Sequence, residues 1–202
     1  MSFRKEKKYR FSKSEMTMIK NNLLQNGMAQ LHPSRIVNSC YFDTNTFSLF
    51  HDSEEGTLPR KKIRVRWYND ELKLSKEIKI SSIEGRFKTT ENIGKFTSEN
   101  NILELRYFDK NYGYLIPSIL VRYERFYYNL DKMRLTFDQN ISYQRLTSKI
   151  LPILKDKECV LEVKVPINTD DDYIERYVSV PNSRFSKYSR GVLNFEKNIK
   201  NI

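Results

Sequence analysis

The sequence predicts an α+β protein whose antiparallel sheet closes into a barrel. Alternating polar and apolar positions, which are typical of strands, recur along the chain, whereas helical periodicity is limited to a few short segments. The polar side of nearly every alternating segment also carries lysine or arginine. The segment 60–88 shows both features, because alternate positions in its first strand place these bases on one side: Arg60, Lys62, Arg64 and Arg66.

The composition fits one domain that binds an anionic partner. The 202 residues contain no low-complexity linker or internal repeat, so we predict a single domain over residues 1–202. The net charge of +11 favours nucleic acid, a phosphorylated metabolite or an acidic membrane surface as partner. Cys40 and Cys159 are expected to be buried, reduced thiols. No apolar run approaches the roughly 18–20 residues that cross a bilayer, and the first residues lack a signal core, so we expect a cytoplasmic location.

The individual elements follow from local patterns in chain order. Strands are predicted at Phe3–Phe11, Arg35–Asp43, Arg60–Trp67, 72–80, 86–88, Ser118–Leu130, Lys132–Asp138 and Cys159–Val165. Helices are predicted from a cap at Ser12 or Ser14 up to Asn26-Gly27, around Phe47–Glu54, around Ile102–Tyr107 ahead of Gly113 and Pro117, over Thr169–Tyr177, and in the tail Arg184–Lys200. Residues 129–132 are expected to be the turn of a hairpin.

The charged faces of these strands suggest a common role. Like charges that face each other across strands destabilise a sheet, so many basic faces turned to water would repel one another. If the sheet closes with these faces inward, the result is a cationic tunnel that requires phosphates, because unpaired buried charges are very costly. Its carboxylates would hold a hard divalent cation, Mg²⁺ or Mn²⁺. The residues on these faces are Arg4, Glu6, Lys8, Arg64, Arg66, Glu77, Lys79, Arg86, Lys88, Arg125, Arg134, Asp138, Glu162 and Lys164.

Eight short motifs, in order along nearly the whole chain, carry a family resemblance. They are Arg4-x-Glu6-x-Lys8-Tyr9, Tyr41-Phe42-Asp43-Thr44, Arg64-x-Arg66, Glu77-x-Lys79, Tyr123-x-Arg125, Arg134-x-Thr136-Phe137-Asp138, Leu161-Glu162-Val163-Lys164 and Ser186-Lys187-Tyr188. Together they resemble the VTC domain, the polyphosphate polymerase module of the triphosphate tunnel metalloenzymes, or CYTH-like superfamily.

The resemblance implies a closed, eight-stranded antiparallel tunnel with flanking helices. It also implies transfer of the γ-phosphate of ATP to a growing polyphosphate chain, with Mn²⁺ or Mg²⁺ as cofactor, so the partners are ATP or another triphosphate and inorganic polyphosphate. By this resemblance the catalytic residues are Arg64, Arg66, Lys79, Arg125, Arg134 and Lys187. The phosphate-binding set adds Lys8, Arg86, Lys88 and Lys164 to these six. The metal is expected at Glu162, helped by Glu6, Glu77 and Asp138.

Two other functions remain open at this point. One is a tripolyphosphatase or nucleoside triphosphatase of the same superfamily. The hydrolases of that superfamily begin with the motif ExExK, whose two carboxylates hold metal. Arg4 stands at the first of those positions, which resembles the polymerase branch instead. The other is a non-catalytic module that binds polyphosphate or nucleic acid, and the interspersed carboxylates argue against nucleic acid because they would repel its backbone. His32 and His51 lack metal-ligand spacing, and neither a Gly-rich phosphate loop nor a nucleophile constellation occurs.

Overall fold

The structure, a computed structural model, describes residues 4–96, 98, 100–147 and 151–199. Within these residues the strands are β1 (Arg4–Phe11), β2 (Ala29–Asp43), β3 (Arg60–Tyr68), β4 (Glu71–Ser82), β5 (Gly85–Lys95), β6 (Tyr107–Asp109), β7 (Gly113–Leu130), β8 (Met133–Arg145), β9 (Leu154–Lys155) and β10 (Cys159–Pro166). The helices are α1 (Lys13–Gln25), α2 (Ser48–Glu55), α3 (Asn100–Leu103), α4 (Asp171–Glu175) and α5 (Lys187–Ile199).

The strands form an open antiparallel sheet, which confirms the α+β class but not the closed barrel. Their hydrogen-bonded order is β1-β10-β8-β7-β2-β3-β4-β5, with β6 paired to β7 and β9 paired to β8. Among the described residues the order ends at β1 and β5, which do not pair, so the prediction of closure is wrong. Alternation determines which face of a strand a residue occupies, whereas closure depends on the tilt and stagger of all strands together.

Most predicted elements are present, although several strands are longer than their patterns indicated. β2 begins at Ala29, six residues before the predicted start, and β5 continues to Lys95. The hairpin of β7 and β8 turns at residues 131–132, and Asp131 adopts a left-handed conformation with φ of 48°. The predicted helices after Ser12 and in the tail are confirmed as α1 and α5.

The helix predicted around Ile102–Tyr107 is wrong for most of its length. α3 ends at Leu103, and Tyr107 already belongs to β6, where it pairs with Leu115 of β7. Gly113, expected to end a helix, begins β7 instead. The apolar spacing was compatible with a helix, but short apolar runs do not distinguish a helix from a strand when a pairing partner follows within a few residues.

The chain divides by its contacts into two compact units. The first comprises residues 1–36, 123–141 and 155–185, and the second comprises residues 37–122, 142–154 and 186–202. The core of the first unit includes Tyr9, Leu23, Leu135, Phe137, Leu161 and Val163. The core of the second unit includes Phe42, Leu49, Ile63, Val65, Trp67 and Leu115. The single-domain organisation over residues 1–202 stays a prediction.

Helix α1 of the first unit illustrates how the sequence builds a local element. Ser12 accepts a hydrogen bond from the backbone of Glu15, and the Glu15 carboxylate accepts one from the backbone of Ser12, which forms a capping box. Met16 and Leu23 then face the core at helical spacing. No helix in the described part of the chain is long and apolar enough to cross a membrane.

Replacing Gly191 of α5 with alanine is expected to destabilise the second unit. A Cβ atom at this position would lie 2.9 Å from Cγ2 of Ile119 and 3.1 Å from Cδ1 of Tyr143, both of which are buried. The overpacking outweighs the better helix propensity of alanine, so the free energy of unfolding in urea should fall by roughly 1–2 kcal/mol. Glu196→Ala on the same helix serves as the control, with an expected change below about 0.5 kcal/mol. Equal stability of Gly191→Ala and the wild type would contradict this packing.

Candidate functional site

Three lysines of the second unit lie directly opposite one another on neighbouring strands. Lys62 of β3 pairs in register with Lys79 of β4, and Lys79 pairs with Lys88 of β5. Directly opposed side chains share a face of the sheet, and like charges at such positions destabilise it. Lys62 is half-buried, whereas Lys79 and Lys88 are exposed. This lysine row is therefore a position where a bound anion would stabilise the sheet.

One carboxylate, Glu77, offsets part of the charge beside the lysine row. Its Oε2 accepts hydrogen bonds from Nε and Nη2 of Arg64 at 2.8 and 2.5 Å. Its Oε1 accepts a bond from Nζ of Lys88 at 2.9 Å and lies 3.8 Å from Nη1 of Arg66. Burial raises the pKa of Glu77, but the charges of Arg64 and Arg66 outweigh burial and lower the pKa to about 2. We call Glu77 and its surrounding bases the basic cluster: Lys62, Arg64, Arg66, Lys79 and Lys88.

Strand β2 adds two hydroxyl groups to the basic cluster. Tyr41 and Ser39 pair in register with Arg64 and Arg66 of β3. The Tyr41 Oη accepts a hydrogen bond from Nη1 of Arg64 at 3.0 Å, and the Ser39 Oγ accepts one from Nε of Arg66 at 3.2 Å. Burial raises the pKa of Tyr41, but the two arginines and Lys79 outweigh burial and lower the pKa to about 7.

Helix α5 is anchored beside Tyr41 by its second residue, Tyr188. The rings of Tyr188 and Tyr41 stack with their centroids 4.8 Å apart and their planes at 20°. The Tyr188 hydroxyl donates a hydrogen bond to Oδ2 of Asp43, which is fully buried. The Asp43 carboxylate also accepts the backbone N–H groups of Leu49 and Phe50 at the start of α2, at 2.9 and 3.0 Å. Burial raises the pKa of Asp43, and burial together with the Asp43 charge raises the pKa of Tyr188.

This anchor brings the motif Ser186-Lys187-Tyr188 to the lysine row. The Ser186 Oγ accepts a hydrogen bond from Nζ of Lys62 at 3.1 Å and another from the backbone of Ser189 at 3.3 Å. Lys187 follows as the first residue of α5 and is half-buried. The predicted phosphate ligand Lys187 therefore belongs to the same unit and the same neighbourhood as the basic cluster.

The first unit contains a second, charge-balanced group on β1 and β10. Glu6 pairs in register with Lys164, and Lys8 pairs with Glu162. The lysine nitrogens bridge both carboxylates: Lys8 lies 3.2 Å from Glu6 and 4.0 Å from Glu162, and Lys164 lies 2.7 Å from Glu162 and 3.7 Å from Glu6. Burial raises the pKa of Glu162, but the charges of Lys164 and Arg125 outweigh burial and lower the pKa well below its usual range. We call these four residues the charge quartet.

Two more predicted residues of the first unit form a buried ion pair. Nε and Nη2 of Arg125 donate to the two oxygens of Asp138 at 2.6 and 2.7 Å, a bidentate arrangement. Asp138 is fully buried, and the Arg125 guanidinium lies 5.2 Å from the centre of the Tyr123 ring. Burial lowers the pKa of Arg125, but the Asp138 charge outweighs burial and raises the pKa well above its ordinary value. Asp138 therefore holds Arg125 in place.

The predicted metal ligands divide between the two units. Glu77 lies in the second unit, whereas Glu6, Asp138 and Glu162 lie in the first. The described residues contain no group of three or more His, Cys, Asp or Glu side chains that could hold one metal ion. Glu6 and Glu162 nevertheless share two lysine partners. Two carboxylates suit Mg²⁺ or Mn²⁺ when phosphate oxygens and water complete the coordination, so the quartet fits such an ion better than Glu77 or Asp138 does.

The structure divides the predicted phosphate ligands between the two units. It also adds five residues that the sequence reasoning left out of the site. Arg134 of β8 pairs in register with Lys164 of the charge quartet. Arg86 of β5 is exposed and pairs with Ser81 of β4. The added residues are Ser39, Tyr41, Asp43, Lys62 and Tyr188. Alternation already placed Lys62 on the face of Arg64, and Tyr41, Asp43 and Tyr188 belong to quoted motifs, but nothing in the sequence showed that these residues contact one another.

Comparison with solved structures finds the same fold in distant proteins. A conserved hypothetical protein from Pyrococcus furiosus aligns with a TM-score of 0.56 at 12% identity, covering 92% of this chain and 99% of that one. A candidate adenylate cyclase from Vibrio parahaemolyticus aligns with a TM-score of 0.51 at 17% identity, covering 92% and 95%. A candidate adenylyl cyclase from Hippeastrum, described as having a dominant triphosphatase activity, aligns with a TM-score of 0.52 at 13% identity, covering 94% and 95%. At these identities the likeness shows the fold alone.

Comparison of sequences identifies the family. No curated protein gives a significant match. The family model described as the VTC domain matches residues 3–195, which is nearly the whole chain and includes every motif quoted above. The chain therefore belongs to the VTC domain family.

Proposed function

We propose that this protein is a metal-dependent polyphosphate polymerase that transfers the γ-phosphate of ATP to a growing polyphosphate chain. Its family supports phosphoryl chemistry on triphosphates in general. The observation that carries the proposal is the lysine row together with Arg64 and Arg66. These five cations lie on one sheet face, and three of them, Arg64, Arg66 and Lys88, converge on the carboxylate of Glu77. A polyanion that spans several cations is the ligand that best relieves this imbalance.

The basic cluster would bind successive phosphate groups. Arginine offers a planar fork to phosphate oxygens, whereas lysine acts as a point charge. Arg64 and Arg66 are held by Glu77, Tyr41 and Ser39, so they would meet the substrate in a fixed orientation. The exposed bases Lys79, Arg86 and Lys88 would bind the polyphosphate chain along the sheet, and the half-buried Lys187 would bind it from α5.

The first unit would bind a metal ion and phosphate through its own residues. Glu6 and Glu162 of the charge quartet would hold Mg²⁺ or Mn²⁺, which neutralises charge on phosphoryl oxygens when bound. Once the carboxylates turn to a metal, Lys8 and Lys164 would be available to pair with phosphate oxygens. Arg125, fixed by Asp138, and Arg134 would bind phosphate in the same unit.

Phosphoryl transfer to polyphosphate requires positioning and charge neutralisation more than a nucleophilic side chain. The attacking terminal oxygen of polyphosphate is already anionic, so the protein has no proton to remove from it. The residues proposed above would align donor and acceptor and stabilise the charge that spreads over the transferred group.

Hydrolysis of a triphosphate is the alternative. The triphosphatase activity described for the Hippeastrum protein, which shares the fold, favours it. Arg4 at the position of the first metal-holding carboxylate of the hydrolases weighs against it, because Arg4 cannot ligate a second metal ion that activates water.

Incubation with ATP and Mn²⁺ or Mg²⁺ distinguishes the two activities. A polymerase produces polyphosphate chains that lengthen with time, detected by gel electrophoresis. A hydrolase releases orthophosphate without chains. Binding of polyphosphate with neither product would leave a binding module and overturn the proposed catalysis.

Lys79→Ala is expected to weaken polyphosphate binding while stabilising the ligand-free protein. Removing the central member of the lysine row removes a phosphate contact, so affinity for tripolyphosphate should fall by about tenfold or more. The same change removes like-charge repulsion across the sheet, so the free energy of unfolding should rise by about 0.2–1 kcal/mol. Calorimetric titration and urea denaturation measure the two effects. Lys110→Ala, an exposed lysine after β6, is the charge-matched control. Unchanged affinity in Lys79→Ala would remove the row from the site.

Glu162→Gln is expected to abolish metal-dependent turnover while preserving the fold. The amide is nearly isosteric but is a poor ligand for a hard divalent cation, so product formation should fall about a hundredfold or more. Activity at increasing Mn²⁺ concentration and circular dichroism measure the two properties. Glu158→Gln, whose carboxylate pairs with Arg10 in the same unit, should retain activity. An active Glu162→Gln protein would refute the metal assignment.

A further inference from the structure

Tyr41 is held firmly within the basic cluster. Its side chain is 7% exposed, its ring stacks on Tyr188, and the Arg64 guanidinium lies 5.8 Å from its ring centre. Its backbone carbonyl accepts a hydrogen bond from the Ser118 hydroxyl at 2.9 Å. Tyr188 is fixed in turn by Asp43. Rotation of the Tyr41 hydroxyl away from Arg64 would therefore break a packed and hydrogen-bonded arrangement.

The charged groups that face the Tyr41 hydroxyl are cationic. Arg64 donates to it from β3, and the charges of Arg66 on β3 and Lys79 on β4 lower its pKa further. On the side of α5 the neighbour is Tyr188, whose pKa is raised, so it is neutral. The nearby carboxylates are directed elsewhere: Glu77 accepts from Arg64 and Lys88, and Asp43 accepts from Tyr188 and the start of α2.

We propose that the Tyr41 hydroxyl exchanges a proton with solvent as the basic cluster binds phosphate. In the ligand-free protein Tyr41 gives up its proton and balances part of the cationic charge. When phosphate binds, its negative charge replaces that of the phenolate, and Tyr41 takes up a proton and positions Arg64 as a neutral hydroxyl. This inference rests on the proposed phosphate binding by the basic cluster. It adds a role for Tyr41 and couples the binding to uptake of a proton.

The direction of the effect follows from electrostatics. The cations lower the pKa of Tyr41 to about 7 in the ligand-free protein, and a neighbouring anion raises the pKa of an acidic group. Above the ligand-free pKa, binding must therefore be accompanied by proton uptake by Tyr41. This proton uptake affects affinity most at pH values between the pKa of Tyr41 in the ligand-free protein and its pKa in the ligand-bound protein. In that range affinity falls with rising pH by up to about tenfold per pH unit. Below pH 7 this effect disappears.

Calorimetric titration with tripolyphosphate tests the proton exchange. The heat of binding is measured at pH 8 in two buffers with different ionisation enthalpies, and the difference gives the number of protons taken up. Tripolyphosphate itself exchanges protons, so the informative quantity is the wild type minus Tyr41→Phe, which keeps the ring and removes the hydroxyl. We expect the wild type to take up more protons than Tyr41→Phe, by most of one proton. Tyr112→Phe in the same unit, whose hydroxyl donates to Asp52 away from the cluster, should match the wild type.

The near-ultraviolet absorbance of tyrosinate gives a second measurement that needs no variant. In the ligand-free wild type one tyrosine should ionise near pH 7, and saturating tripolyphosphate should move that ionisation to higher pH. Equal proton uptake in wild type and Tyr41→Phe, or absorbance without an ionisation near pH 7, would overturn the inference while leaving phosphate binding intact. Failure of the wild type to bind tripolyphosphate would instead overturn the proposed function on which the inference rests.

Discussion

The cation-rich face of β3, β4 and β5 depends on one ionised carboxylate, Glu77. Arg64 and Lys88 donate to it and Arg66 approaches it, so a single anion organises cations from two other strands. The repulsion that remains is tolerated because the opposite face of β3 is apolar. Ile63, Val65 and Trp67 are buried there, each contributing roughly 1.5–3 kcal/mol, against about 0.2–1 kcal/mol for an opposed pair of like charges. Packing on one face thus stabilises a charge arrangement on the other that suits a polyanion.

The balance of positive and negative charges differs between the two units. In the charge quartet two lysines and two carboxylates alternate across β1 and β10, so the charges balance locally. In the basic cluster the cations predominate. Under the proposed function this difference separates two tasks, because a balanced quartet can exchange its internal ion pairs for a metal ion and phosphate oxygens, whereas an unbalanced cluster attracts the phosphate chain itself.

The basic cluster is also connected to the helices around it. Asp43 accepts the backbone N–H groups of Leu49 and Phe50 in the first turn of α2 and the hydroxyl of Tyr188. One buried carboxylate therefore fixes the start of α2 and the start of α5. The Tyr188 ring then packs on Tyr41, which bonds Arg64. This chain of contacts links the start of α5, where Lys187 lies, to Arg64 of β3. A change at Asp43 would consequently disturb the predicted phosphate ligands from a distance.

The sequence by itself determined most strands with their charged faces, the helix that begins after Ser12 and the family motifs. These features depend on local periodicity, side-chain chemistry and short spacing, which a single chain displays directly. The tertiary structure alone decided that the sheet is open, that Tyr107 pairs in a strand, and that Lys62, Lys79 and Lys88 share one row. It also decided that Glu77 and Asp138 hold arginines, whereas Glu6 and Glu162 lie together. Strand register and the choice of ion-pair partner depend on contacts between residues far apart in the chain. The identity of a residue does not indicate which distant residue it will contact.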